Sequence, residues 1–485
     1  MLKKLCLVMA MVLMASLVFS ACGNKESDPQ GDEKLIWYAR INKQAANEEV
    51  FAKVDEYVKS KIGMGVEIVV LEDYATKIQV INASNEDYDV VYTSSTINNY
   101  FKNAADGNFL ALDEVLPKHA PKLWEMFGSD VWDALRVDGK IYGITNQQIM
   151  ARGPALCIPT QNFELLGLDR EEFKEFNLDT IEKYLRAVKE KTGSYSLVPD
   201  FWTGGGSQMW GIEQVVGSNL PGAIRTNDEN PVIFNQYESP EFKEYAERRV
   251  KWVQEGLTAP AHTLETDFKK YAGTPADQVI PILGSTRAYQ PGAEAGFKAN
   301  YGFDVEYVMI SEPVLNSYGI AATMTAVNAA TRYPEKTAEF LELLHTDKYL
   351  FNLIAYGIEG KHYEKIGDNQ IKVTTKDYAQ PTWAISNLFN SYITEGNDPD
   401  MWNQMKEIND SAVRSPLLGF VPDTDEVKLE IANSNAALDE YLDVVCEGLM
   451  DMVTYDAFVE KLNAAGAGKI METVNAQAES WKASK

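Results

Sequence analysis

The sequence predicts an α/β protein of two or three domains, and three observations carry that class. Short continuous apolar runs alternate with stretches of helical period, the pattern of parallel strands covered on both faces. The 485 residues suffice for a large buried core at roughly 150 residues per domain. Apolar residues make up 45% and charged residues 24%, which excludes a wholly disordered or collagen-like chain.

The elements follow in order. Lys3 and Lys4 precede an apolar stretch, Leu5 to Phe19, broken only by Ser16. It is too short for a comfortable membrane span and has the length of a secretory signal core. It ends in Phe19-Ser20-Ala21-Cys22 and then turns polar. This exit resembles a bacterial lipobox, although Phe19 replaces the usual leucine. Residues 1–21 then read as a lipoprotein signal peptide, Cys22 as the lipidated mature N-terminus, and 22–34 as a flexible leash at an outer membrane face.

Leu35-Ile36-Trp37-Tyr38 reads as a strand, and Asn47 to Ile62 as a helix on the spacing of Val50, Phe51, Val54, Tyr57 and Val58. Val66–Leu71 and Asp89–Tyr92 read as further strands, with a helix over Tyr74–Ala83 between them. A looser region spans about 150 to 310. Asp179 to Lys191 reads as a helix with Glu182 as a capping-box partner, and Ser239-Pro240 opens another to Glu255. Tyr333-Pro334 begins a third, and Val427 to Asp451 has a core-facing period.

Charge and motif content narrow the function. With 45 basic and 71 acidic side chains the net charge is −26, and −28 without the first 21 residues, which carry Lys3 and Lys4 and no acid. Such a surface repels nucleic-acid backbones and anionic lipid headgroups. Enzyme signatures fail: Met209 breaks a nucleophile elbow at Ser207, and Asn463 and Ile470 break a phosphate loop at Lys469. His119, His262, His345 and His362 lack metal-ligand spacing, so no cofactor or transition-metal site is expected, and without a loop of EF-hand spacing the sequence leaves bound calcium open. Cys157 and Cys446 read as buried and unpaired, with a disulfide as the alternative.

Val137-Asp138-Gly139-Lys140-Ile141-Tyr142-Gly143-Ile144 looks like the first hinge strand of the extracellular solute-binding proteins that serve ABC importers. Asn328-Ala329-Ala330 with Tyr333 to Leu341 looks like the return crossing and its helix. Tyr356-Gly357-Ile358-Glu359-Gly360-Lys361-His362-Tyr363, Leu418-Gly419-Phe420 and Leu462-Asn463-Ala464-Ala465-Gly466 resemble a Firmicutes lipoprotein subgroup that binds carbohydrate and carries a C-terminal extension. The resemblance covers essentially the whole mature chain.

It implies a two-lobe periplasmic-binding-protein-like fold with hinge-linked, discontinuous lobes. Lobe one would be 35–146 with 322–366, and lobe two 147–321 with 367–485. A monomer held to the membrane through its lipid alone would close on an oligosaccharide and present it to permease subunits. Candidate ligand residues combine aromatic, amide and guanidinium groups with cleft-facing places in that fold. Lobe one offers Tyr38, Arg40, Thr93, Ser94, Asn146 and Gln147. Lobe two offers Trp202 and Trp210 around Gly204-Gly205-Gly206, with Arg287, Tyr289, Trp383 and Asn387, and Tyr318 lies at the return crossing. The bland readings are core for Tyr38 and an ion pair for Arg287; Trp202 and Trp210 read as cleft, and Trp383 as the stacking platform. Peptides or polyamines are the alternative ligands, and a tethered glycan-active enzyme or an adhesin are the alternative classes.

Overall fold

Residues 33–484, apart from 85, 152, 176, 260–264 and 450, are described by a computed structural model. The proposed signal peptide, Cys22 and most of the leash lie outside the described residues.

Strand β1 (Lys34–Ala39) leads through the helix Asn47–Ile62 to β2 (Gly65–Val70), its parallel neighbour. That helix buries Val50, Val54 and Val58 at intervals of four and stops at Gly63, whose φ of 76° suits glycine. The helix Tyr74–Ser84 leads to β3 (Val90–Thr93), buried throughout. The strands that follow are β4 (Gly143–Thr145), β5 (Ala155–Pro159), β6 (Ile212–Gln214), β7 (Ala223–Arg225), β8 (Gly284–Thr286) and β9 (Val305–Met309). After them come β10 (Val314–Leu315), β11 (Met324–Val327), β12 (Tyr363–Lys365), β13 (Gln370–Val373), β14 (Ile393–Thr394) and β15 (Val413–Arg414).

The first sheet has the order β2-β1-β3-β11-β4. Its three leading strands are parallel, as the sequence predicts, but β11 runs antiparallel to both β3 and β4. A returning strand enters from the opposite side, so the sheet is mixed. The second lobe holds the antiparallel sheet β8-β5-β9 and the hairpin β6-β7. Helices Leu178–Thr192, Pro240–Gln254, Lys428–Cys446 and Met452–Ala465 contribute to its main core.

Helix signals are placed well, with local exceptions. Ser239 caps its helix by accepting from Phe242 N, with Pro240 at the first turn. Asn177, not Asp179, caps the helix Leu178–Thr192. Glu182 instead receives Arg186, Arg248, Lys251 and the Trp252 indole, and these donors hold its carboxyl well below the usual range. Cys157 and Cys446 are both buried and free.

The lobe boundary needs correction. Ile371, Tyr378, Ile385, Leu388 and Ala412 pack in the first core, so 367–412 goes with lobe one. The cause is local: β13 pairs antiparallel with β12, Tyr363 opposite Val373, and cannot leave it. From Leu417 onward the buried residues pack with lobe two, while Leu418 and Val421 still touch the first core. The chain therefore passes between the cores three times: after Ala151, before Leu315 and after Ala412.

These passages are stitched together. Asn409 accepts from Met150 N and Ala151 N and donates to the Gln148 carbonyl. The second passage lies so close to the first that a Cβ at Gly319 would collide with the Met150 carbonyl oxygen. β10 and β15 pair in parallel, tying the second passage to the third. Beside them Glu213, from β6, is 5% exposed and hydrogen-bonded by the side chains of Ser415 and Asn316.

Burial pushes the Glu213 carboxyl up to about 7 from an ordinary 4.5. A raised folded-state value makes its stabilisation complete below about 4.5 and lost as pH climbs through about 7. The stability advantage of Glu213→Gln over the native protein should therefore grow by about 3 kcal/mol between pH 4.5 and pH 8. Urea unfolding at both pH values measures it; a pH-independent difference would show that the carboxyl is solvated.

Candidate ligand-binding site

Lobe one presents a small aromatic platform at the ends of β1 and β3. The Arg40 guanidinium donates to Tyr92 Oη at 3.2 Å and lies over two rings, 5.3 Å from the Tyr92 centroid and 5.0 Å from that of Trp383. The two rings meet edge to face at 6.4 Å. Trp383 remains 37% exposed, unusual for an indole with such supports. Behind it, Asn146 Nδ2 and Gln148 Nε2 donate to the Trp383 carbonyl at 3.1 and 3.3 Å. Asn146 is 1% exposed, and its Oδ1 has no partner among the described residues.

The predicted residues on this side, with Trp383 and Asn387 moved here from lobe two along with 367–412, thus divide. Arg40 and Asn146 meet at Trp383, and Gln147 lies alongside, its carbonyl accepting from Leu388 N. Tyr38 belongs to the core, donating to Glu86 and packing edge to face on Tyr88. Thr93 and Ser94 are buried and shape the turn: Thr93 donates to the Asn98 carbonyl, and Ser94 Oγ accepts from Thr96 N and Ile97 N. Asn387 is 7% exposed, caps a turn through Phe389 N and donates to the His345 carbonyl. A cleft role for Tyr38, Thr93 and Asn387 is corrected to a structural one, because their polar atoms are spent inside the fold.

In lobe two the glycine loop is built, not slack. The Asp200 carboxylate accepts from Trp202 N, Thr203 N and the Tyr245 hydroxyl. Arg287 donates to the carbonyls of Asp200 (2.7 Å) and Thr203 (3.1 Å) and to Ser285 Oγ (2.9 Å). Gly206 has no space for a side chain beside the Phe201 carbonyl and the guanidinium. Trp202 is therefore core, fully buried among Trp210, Phe242 and Tyr245, which overturns the cleft reading. Trp210 keeps part of its surface exposed at the edge of this stack.

A cavity of about 710 Å³ spans the two lobes. Tyr289, Glu294 and Lys298 line it from lobe two, and Glu395, Asn397 and Asp398 from lobe one. Tyr289 donates to Glu294, while Lys298 is paired with Asp304. Tyr318 stands apart at the hinge, where its hydroxyl donates to the Val215 carbonyl at 3.1 Å. Among the described residues no cluster of His, Cys, Asp and Glu could hold a metal. Sequence reasoning missed Tyr92, hidden in the apolar run of β3, and Gln148, one residue beyond Gln147.

The comparisons bear on this geometry. A family model described as "Domain of unknown function (DUF3502)" matches residues 416–483. A carbohydrate ABC transporter substrate-binding protein of Streptococcus pneumoniae serotype 4 is 26% identical, covering 96% of this chain and 95% of its own. The structure of the N-glycan transport solute binding protein NgtS from Streptococcus pneumoniae aligns over 92% of this chain and 98% of its own, with TM-score 0.78 and 22% identity. An HMO-binding, ABC-transporter-associated solute binding protein from Bifidobacterium longum infantis covers 93% and 99%, with TM-score 0.65 and 14% identity. The fold is that of the solute-binding proteins. These relatives are named as binding proteins, not enzymes. The cavity is lined from both lobes, and the platform lies on lobe one.

Arg287 is a strut of lobe two, and its removal strips three bonds from the glycine loop. Arg287→Ala should lower stability by about 2–4 kcal/mol in urea unfolding, with little rescue by lysine, which lacks the planar fork. An unchanged midpoint would free the guanidinium for a ligand.

Proposed function

We propose that this chain is a lipid-anchored extracellular receptor that captures an oligosaccharide between its lobes and delivers it to the permease of an ABC importer. The observation that carries the reading is the Trp383 platform. An indole backed by Arg40 and Tyr92 and left 37% exposed suits the C–H face of a pyranose. The unpartnered Asn146 acceptor beside it suits a hydroxyl. Complexes of NgtS with Man1GlcNAc and Man5GlcNAc, at TM-scores of 0.69 and 0.68, support an oligosaccharide. Trp210 and Tyr289 would complete the site from lobe two.

A second reading rests on the inter-lobe cavity, where Glu294, Glu395 and Asp398 favour a cationic ligand such as a polyamine. Thermal unfolding of the soluble chain across a panel separates the two. Ligand at about 100 times its dissociation constant should add roughly 2.7 kcal/mol. A shift with one glycan family, recovered intact, supports the receptor. Trp383→Ala should then weaken binding by about 1–3 kcal/mol while leaving the unliganded midpoint in place. A shift with polyamines alone overturns the ligand class.

The anchor is tested separately. The native protein, expressed in a Gram-positive host, should partition into detergent, and Cys22→Ser should move it to the aqueous phase. Aqueous partitioning of both would remove the lipid from the account.

A further inference from the structure

The segment 416–483 matches a family with no assigned function, and its contacts converge on one place. It begins where the third passage leaves lobe one. Val413 N donates to the Pro313 carbonyl and Ser415 N to the Leu315 carbonyl, both at 2.9 Å, zipping the second and third passages together. Two residues past Leu417, Gly419 N donates to Ser317 Oγ at 2.8 Å, again on the second passage. Leu417 and Phe420 then bury themselves beside Val215 and Val216 of lobe two and Ile470 and Val474 of the last helix.

That helix, Ala467–Ala483, is itself clamped in two directions. Gln477 exchanges hydrogen bonds with the backbone of Asp423 at 2.9 and 2.8 Å. Asn475 does the same with the backbone of Ile233, in lobe two, at 2.9 and 2.8 Å. On the lobe-two side, β6 supplies the Glu213 carboxyl to Asn316 and Ser415, and Val215 takes the Tyr318 hydroxyl. A continuous path of packed and bonded groups runs from the hinge to the end of the chain.

We infer that residues 416–483 are a hinge brace, which fixes the second and third passages against lobe two and so sets the angle and freedom of the two lobes. A two-lobe protein changes the angle between its lobes by φ and ψ changes at few residues. The Gly419–Ser317 bond, the Ser415–Glu213 bond and the packing of Phe420 beside Val215 and Val216 resist those changes. The brace thereby sets the fraction of molecules in the closed form, and apparent affinity scales with that fraction. The inference concerns the unliganded protein and stands whether or not the ligand is a sugar.

The test is the inter-lobe distance of the full mature chain without ligand. Spin labels on cysteines placed at exposed Val80, in lobe one, and exposed Tyr195, in lobe two, report it by pulsed electron resonance. Ser317→Ala and Gln477→Ala each remove brace bonds without opening a large cavity, and Phe420→Ala removes its apolar anchor. Leu429→Ala lies on the same segment, is 68% exposed and serves as control. The brace variants should at least double the width of the distance distribution or move its mean, and the control should match the parent. Should Phe420→Ala fail to fold, Ser317→Ala with Gln477→Ala decides. A parental distribution in that double variant would overturn the inference and assign the segment to lobe-two stability alone.

Discussion

The structure depends on three backbone passages being held side by side between two cores. Asn409 is central to this: one amide accepts from two N–H groups of the first passage and donates to a third residue of it. Such groups, buried between lobes, would otherwise be without partners, at a cost of about 1–3 kcal/mol each. The second passage adds a contact so close at Gly319 that no other residue fits without a shift. The two sides of the cleft are thus fixed in register before any ligand arrives.

On that frame the polar chemistry is unevenly placed. Lobe one offers an indole whose support is cationic, Arg40 over both Trp383 and Tyr92. Lobe two spends its best hydrogen-bonding group, Arg287, on its own loop. The carboxylates gather in the cavity between them. Neutral hydroxylated ligands can use the first feature at small electrostatic cost, whereas a cation would be drawn to the third. Both outcomes follow from side-chain accounting that composition alone could not supply.

The sequence made local order legible and long-range packing less so. Val50, Val54 and Val58, Ser239 before Pro240, and the run Val90–Tyr92 announce their elements because their physics is local. The first core's claim on 367–412 is not local: nothing in composition marks the third passage, and β13 is bound to lobe one by its partner strand. Trp202 and Trp210 look alike on either side of three glycines, yet one is core and the other partly exposed. Phe242 and Tyr245, some forty residues away, close over Trp202 and bury it. Asn387 has the chemistry of a ligand group and is consumed by a carbonyl at His345. Arg40 and Trp383, 343 positions apart in sequence, meet.

The three passages also dictate the order in which the molecule can be made. Asn42 N is bonded to the Gln380 side chain across 338 residues, and the first core is not complete until Ala412 has been joined to the chain. Lobe two interrupts lobe one once, between Ala151 and Leu315, so its residues are synthesised while β3 and β4 still await β11 between them. Loops of that length close late, because chain entropy opposes them before contacts reward them. During synthesis the N-terminal third is therefore a chain with exposed strands and no finished core, open to chaperones and to threading, and it becomes a stable lobe only when the last fifth of the protein has begun to appear.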